Sequence, residues 1–398
     1  MLSPLSSPKT KRSKQINEDL HYVPSRPTKT KIAFPETNCT QKCPVMDIPN
    51  MPDRPKLKPT PPDRPTFNRW GQNHSQLFVW TEDIKYDSLE EKDLIQESKD
   101  HIQVYWEKAQ YGLPMKLPTL KDFQIKNPSQ KVPEIYHYTW ISCHDFSFAH
   151  YISLYSVLKN MINPEYSKII ITTNCPPKGK WFDKIKKIAG PGRILVHTIS
   201  ANNNRIWFDK DSDSKNKGVL LEKIVHVSDI IRIMLLTKYG GIFLDDDHIL
   251  LKPLDKYLEL DVPTFGVESS ASVQNCFQIS PPDSTIYYRW LQEYKKYENI
   301  KMGIFSVMKL WALWQKYPEE INTVQTILVR PNWQELRYLD DVYFDWSEHY
   351  SMHLSVRYMK TALHKKGYKF GSEEDLECID NVFGEVTRFT LFGRYERC

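Results

Sequence analysis

Apolar positions along this chain gather into short solid runs separated by longer stretches with helical spacing. Ile135, Tyr136, Tyr138, Trp140 and Ile141 form one such run, which predicts a buried strand in a domain that opens near Val132. Phe148 to Met161 carries the spacing of a helix. Ile169 to Thr173 reads as a β-branched strand, and Ile194 to His197 as another short one. Strands alternating with helices at this interval predict an α/β fold with a mostly parallel central sheet flanked by helices. Further upstream, Ser88 and Glu91 make a capping-box pattern ahead of Leu94, Ile95, Ile102, Tyr105, Trp106 and Ala109, which predicts a helical arm packed on the body.

The pattern is densest from Val225 to Asp255. Val227, Ile230, Ile231, Met234 and Leu235 fall on one apolar face of a helix, with Asp229 and Arg232 together on the other. Lys238 and the glycines after Tyr239 supply a helix stop, and Ile242, Phe243 and Leu244 follow as a buried strand. Three aspartates stand where that strand ends. In extended chain, Asp245 and Asp247 share a side and Asp246 points elsewhere. Two converging carboxylates repel unless a cation or a proton separates them. Hard oxygen ligands suit magnesium or manganese, which complete their shells with phosphate oxygens and water. The carboxyl end of a sheet strand is also where open α/β folds take their ligands.

Composition narrows the picture. Residues 1–66 hold 13 of the 27 prolines, so neither a helix nor an interior strand can run there, and a solvated basic stem or tail is expected. The formal net charge of +5 is matched by the excess of basic residues in the first 31, which leaves a near-neutral body and no nucleic-acid face. No stretch approaches the roughly 20 apolar residues that span a bilayer, and the polar start is no secretory signal, so no transmembrane segment is expected in this chain. Seven cysteines show no repeated metal-ligand spacing and leave the compartment open. Asn38 and Asn73 begin glycosylation sequons. The chain divides into a Pro-rich segment (1–66), a helical arm (67–130), a core carrying the aspartates (131–275) and a C-terminal completion (276–398).

The order Ser228-Asp229-Ile230-Ile231-Arg232, Tyr239-Gly240-Gly241-Ile242-Phe243, Leu244-Asp245-Asp246-Asp247 and Lys252-Pro253-Leu254 resembles a family of DxD glycosyltransferases in their sugar-binding region. That family includes α-1,4-galactosyltransferases, α-1,4-N-acetylglucosaminyltransferases and initiating mannosyltransferases, and large clostridial toxin glucosyltransferases share its core pattern. The resemblance is dense over about 30 residues and looser from Val132 to Arg357. It implies a GT-A, Rossmann-like fold, a nucleotide-sugar donor (a UDP-sugar), Mn2+ or Mg2+, and retention of anomeric configuration. It further implies a glycan, glycolipid or protein acceptor and work in the Golgi lumen, with a cytosolic form left open by the missing anchor.

Residue by residue, the resemblance makes Asp247 the direct metal ligand. Asp245 then contacts the donor ribose or sugar and the water of the metal shell. Asp229 and Arg232 hold the donor sugar and phosphates, so that Asp245, Asp247 and Arg232 are the expected catalytic group. Trp140 stacks on the nucleotide base, and Tyr239 belongs to the donor-binding motif. Asn275 sits where the family often has a donor-proximal Asn. His353 sits where it often has a metal-binding His, although Leu354 follows here in place of an aromatic.

Two other readings compete. A haloacid-dehalogenase-type phosphatase with Asp245 as nucleophile shares the apolar strand and Asp-x-Asp. It normally has Gly, Thr or Val where this chain has His248, and its motif lies near the domain start. A catalytically inactive sugar-binding protein on the same fold is the non-enzymatic alternative.

Overall fold

The computed structural model describes residues 130–198, 206–208, 219–221, 224–269, 272–295, 297, 304–325, 327–329, 346–365, 367–395 and 397. The Pro-rich segment, the helix expected from Ser88 and both sequons lie outside the described residues. The strands are β1 (Ile135–Trp140), β2 (Lys168–Thr173), β3 (Ile194–Thr198), β4 (Ile206–Phe208), β5 (Val219–Leu221), β6 (Gly241–Leu244), β7 (His248–Leu250), β8 (Thr264–Ser269), β9 (Ser272–Ser280), β10 (Asn322–Gln325) and β11 (Ser351–His353). The α-helices are α1 (Phe148–Asn160), α2 (Lys180–Ala189), α3 (Ile224–Tyr239), α4 (Thr285–Lys295), α5 (Lys309–Lys316), α6 (Val356–Lys365), α7 (Asp375–Cys378) and α8 (Val382–Phe392).

Seven strands form one sheet in the order β10-β8-β9-β6-β1-β2-β3. Its neighbours run parallel except where β9 meets β6 and β8. This is the mostly parallel α/β architecture that the alternating pattern predicts. β1 and β6 are buried at every position, as central strands covered on both faces must be, which is why their sequences run apolar without alternation.

Helix α1 links β1 to β2 and is fastened to β7. The Leu250 N–H donates to Ser156 Oγ at 2.9 Å, and Asn160 Nδ2 donates to the Leu250 carbonyl at 2.9 Å. The turn after α1 folds around Glu134. That carboxylate accepts from the N–H groups of Ile162 (2.6 Å) and Asn163 (2.9 Å) and from the hydroxyls of Ser167 (2.6 Å) and Tyr136 (3.0 Å). With the Asn163 side-chain amide at 3.2 Å as a fifth donor, the buried carboxylate is fully hydrogen-bonded at the start of the sheet.

Helix α3 departs from the amphipathic expectation. Ile233 and Leu236 are buried as fully as the apolar stripe, and Asp229 and Arg232 on the supposed polar face are 1% and 3% exposed. The cause is packing on more than one side, against β1, β6 and α4. Where α3 ends, Gly240 and Gly241 take φ of +63° and +107°. A Cβ on Gly241 would stand 2.6 Å from the Ile135 carbonyl oxygen, and one on Gly240 2.7 Å from the Pro282 nitrogen. The Tyr-Gly-Gly motif is therefore the tight stop that brings β6 alongside β1.

The C-terminal part returns to the triplet through β11, antiparallel to β7 with His353 opposite His248. Helix α8 is anchored by buried Arg388, whose Nη1 donates to the carbonyls of Leu376 (2.6 Å) and Ile379 (2.7 Å). A disulfide joins Cys143 to Cys175, the segments that follow β1 and β2, and Cys378 is also disulfide-bonded. Among the described residues, no helix is long and apolar enough to cross a membrane.

Candidate active site

The aspartate triplet is a turn and not extended chain. β6 ends at Leu244, and the His248 N–H donates to the Asp245 carbonyl at 3.0 Å. The Asp245 N–H in turn donates to the Cys276 carbonyl on β9 at 2.9 Å. The alternation expected of a strand is therefore lost, and each carboxylate finds its own partner. Asp245 Oδ1 lies 3.1 Å from Arg232 Nη2, and Asp246 Oδ2 lies 3.7 Å from His150 Nε2. Asp247 accepts the Val356 N–H at 2.7 Å through Oδ2, and its Oδ1 is 3.1 Å from His353 Nε2. The side chains of Asp245 and Asp246 are 30% and 33% exposed, so the turn opens to solvent.

Crowding three carboxylates separates their ionisation. Burial and the charges of Asp247 and Asp245 hold the Asp246 carboxyl well above the usual range. Burial also pushes Asp245 up, against the opposing pull of Arg232. For Asp247 burial acts in the same direction, but the His353 charge, the His353 hydrogen bond and the Val356 N–H outweigh it, and its carboxyl is held below the usual range. His353 is raised well above an ordinary imidazole: burial opposes its charge, while Cys276 and Asp247 favour it. Asp247 and His353 thus favour opposite charges on each other, beside a carboxyl of raised proton affinity.

Arg232 is braced on all sides. Its Nη1 donates to the Asn275 carbonyl, its Nη2 to Ser228 Oγ at 3.0 Å, and its guanidinium lies 4.2 Å from the Phe243 ring centroid. Asp229 Oδ1 accepts from Asn275 Nδ2 at 2.7 Å, and Oδ2 accepts the Tyr294 hydroxyl. With both oxygens engaged and the residue 1% exposed, Asp229 faces protein and not solvent. The pair expected to hold a donor directly here supports Asp245 and Asn275 from behind.

Trp140 stands at the carboxyl end of β1 near the triplet. It packs edge-on to Phe146 and His150, with centroids 5.5 and 4.5 Å away, and its buried indole Nε1 has no hydrogen-bond partner. Tyr239 does not join the group. It ends α3 at the opposite end of β6 from the aspartates, tilted against His137. Trp311 and Trp314 pack on each other and on the core. Trp346 packs against Phe389 and Tyr395 near the C-terminus.

Sequence reasoning passed over His150, Tyr294, Val356 and Cys276, and only His150 had a local signal. The Ser147 N–H donates to His150 Nδ1 at 3.0 Å as an N-terminal cap, which leaves the proton on Nε2, the nitrogen facing Asp246.

The donor set suits the divalent ion implied by the resemblance. Asp247 Oδ1 and His353 Nε2, 3.1 Å apart, would hold such an ion once the proton between them is released.

Comparison with known proteins gives a consistent result. Residues 66–262 match the family described as glycosyltransferase sugar-binding region containing DXD motif. Residues 180–384 match the capsular polysaccharide synthesis protein family. Glucan organizing enzyme 1 of Cryptococcus neoformans var. grubii serotype A (strain H99) is 26% identical over 219 residues, covering 50% of this chain and 54% of its own. The match thus spans about half the length of that relative. Among solved structures, mouse xyloside xylosyltransferase 1 is 11% identical with a TM-score of 0.34, over 55% of this chain and 96% of its own. The galactosyltransferase LgtC in complex with donor and acceptor sugar analogs is 10% identical with a TM-score of 0.33, over 60% of this chain and 98% of its own.

Proposed function

Because this chain belongs to the glycosyltransferases whose sugar-binding region contains the DXD motif, we propose that it moves a hexose from a UDP-sugar to a glycan, with a divalent ion and with retention of configuration. The observation that carries this reading is the convergence of Asp247, His353 and Asp245 on one open turn at the end of β6. Asp247 and His353 would hold Mn2+ or Mg2+, which when bound supplies positive charge against the leaving diphosphate. Asp245 faces the donor ribose or sugar, kept in place by Arg232. The Arg232 guanidinium, 3.1 Å from Asp245, adds fixed positive potential on the same side. Trp140 offers its unpartnered indole N–H, and beside it His150 carries an N–H toward Asp246.

A polysaccharide acceptor is favoured over lipid or protein by two names, the glucan of the fungal relative and the capsular polysaccharide of the second family. The Cys143–Cys175 disulfide supports work in an oxidising compartment such as the Golgi lumen.

The test is a donor screen of the full chain with manganese and a panel of UDP- and GDP-sugars, read as donor hydrolysis or transfer. Turnover with one or two UDP-sugars is expected, lost in chelator and in Asp247→Ala. Chelator-resistant transfer would contradict the metal role.

A further inference from the structure

Behind the triplet lies a second donor set, chemically unlike the first. His248, Cys276 and His353 each present one ligand atom, and the three atoms lie within 4.8 Å of one another. Their convergence comes from pairing: β7 and β11 set His248 opposite His353, and β9 brings Cys276 beneath the Asp245 N–H. The two imidazoles are stacked, their planes 13° apart and their centroids 5.3 Å from each other.

His248 supplies the independent sign of a ligand. It is fully buried, and its Nε2–H donates to the Leu328 carbonyl at 3.0 Å, which leaves the lone pair on Nδ1. That Nδ1 is buried and has no hydrogen-bond partner. An imidazole with one N–H fixed by a backbone carbonyl and its other nitrogen bare has the support usual for a metal-bound histidine, and Nδ1 is the nitrogen free to ligate.

We propose that His248 Nδ1, the Cys276 sulfur and His353 form a site for a soft divalent ion of the zinc class, adjacent to the oxygen-rich site and sharing His353 with it. Thiolate and imidazole donors favour Zn2+ over Mg2+ or Mn2+. With Zn–N bonds of about 2.0–2.1 Å and Zn–S of about 2.3 Å, tetrahedral ligands sit about 3.3–3.8 Å apart. The 4.8 Å limit therefore asks for closure of about 1.5 Å at most, within reach of side-chain rotation. The fourth position falls to water or to Asp247. Binding releases the thiol proton, since Cys276 ligates as the thiolate. A zinc ion here takes His353 away from Asp247. On the function proposed above, zinc is therefore an inhibitor of manganese-supported transfer.

The test uses Co2+ as the probe, titrated into the full chain stripped of metal, with no donor present so that the outcome is independent of transfer. One equivalent should give a thiolate-to-cobalt charge-transfer band with the intense visible bands of four-coordinate cobalt, and one equivalent of Zn2+ should abolish both. Cys276→Ser should lose the charge-transfer band. His248→Gln should weaken cobalt binding at least about tenfold, and Asp245→Asn should keep the band. No band in the unaltered chain, or a band that survives Cys276→Ser, overturns the site. If the cobalt spectra hold but zinc leaves transfer untouched, the function proposed above is at fault and the site stands.

Discussion

Arg232 Nη2 and Asp245 Oδ1 meet at 3.1 Å, joining the middle of α3 to the turn at the end of β6. The same guanidinium also holds Ser228 and the Asn275 carbonyl, a span that only a planar fork can cover. In Arg232→Lys the charge stays and the fork goes. A loss of about 2 kcal/mol in unfolding free energy is expected, measured by urea denaturation, together with weaker donor binding by calorimetry. Unchanged values for both would remove the bracing role.

The triplet predicts a sharp contrast between neighbours. Asp247→Asn removes the carboxylate held low by His353 and the Val356 N–H, and metal-dependent turnover should fall at least about a hundredfold. Asp246→Asn replaces a carboxyl whose proton affinity is raised by burial and by its two neighbours, so turnover should stay within about threefold. A donor-hydrolysis assay in manganese distinguishes them; equal losses would contradict the assigned ionisation.

Gly241→Ala tests the backbone reading of Tyr-Gly-Gly. With φ at +107° and the Ile135 oxygen 2.6 Å from the added methyl, β6 must shift or strain. The expected cost is at least about 1–3 kcal/mol, read as a lower melting temperature. A variant as stable as the parent would show that the glycine answers to something other than this turn.

The Cys143–Cys175 bond closes 32 residues between the ends of two parallel strands. Replacing both cysteines by serine should lower stability by about 2–4 kcal/mol by loop-closure entropy. The loss should match the effect of reductant on the parent, corrected for any contribution from Cys378.

His137 sets part of the acid limb of stability. It is fully buried, burial pushes it down to about 4, and its Nε2–H donates to the Gly240 carbonyl at 2.9 Å. Between its unfolded value of about 6.5 and 4, the unfolded chain binds a proton that the folded one refuses, so stability falls as pH drops through that window. Below about 4 this contribution levels off. His137→Gln keeps an N–H donor without the titration, and its stability should fall by less, on the order of 3 kcal/mol, over the same range. A parallel pH profile for the two proteins would reject the assignment.

Local pattern made much of this legible. The solid runs at β1, β2 and β6 and the helical spacing of α1 and α3 reported their elements directly, because central parallel strands and packed helices leave that signature. The aspartates were legible as a group, but their orientation was not, since the strand ends one residue before them and a turn has no two-residue period. The burial of Asp229 and Arg232 was not legible, because a helix covered on several sides keeps one stripe that can carry charge if every donor and acceptor is met. Tyr239 shares the motif and not the place, because it lies at the other end of a four-residue strand. Cys276 and Val356 come to the triplet through β9 and through the chain leaving β11, pairings far apart in sequence that no local period announces.

The pairing of β11 with β7 bears on how this enzyme can be divided. A fragment stopping before Ser351 would keep the whole central sheet and the three aspartates. It would lose the imidazole and the amide that hold Asp247, and with them the low proton affinity of that carboxylate. On the metal role proposed above, Asp247 and His353 make one ligand pair from positions 106 residues apart, so exchanging C-terminal segments between relatives would alter cation preference before it altered acceptor choice.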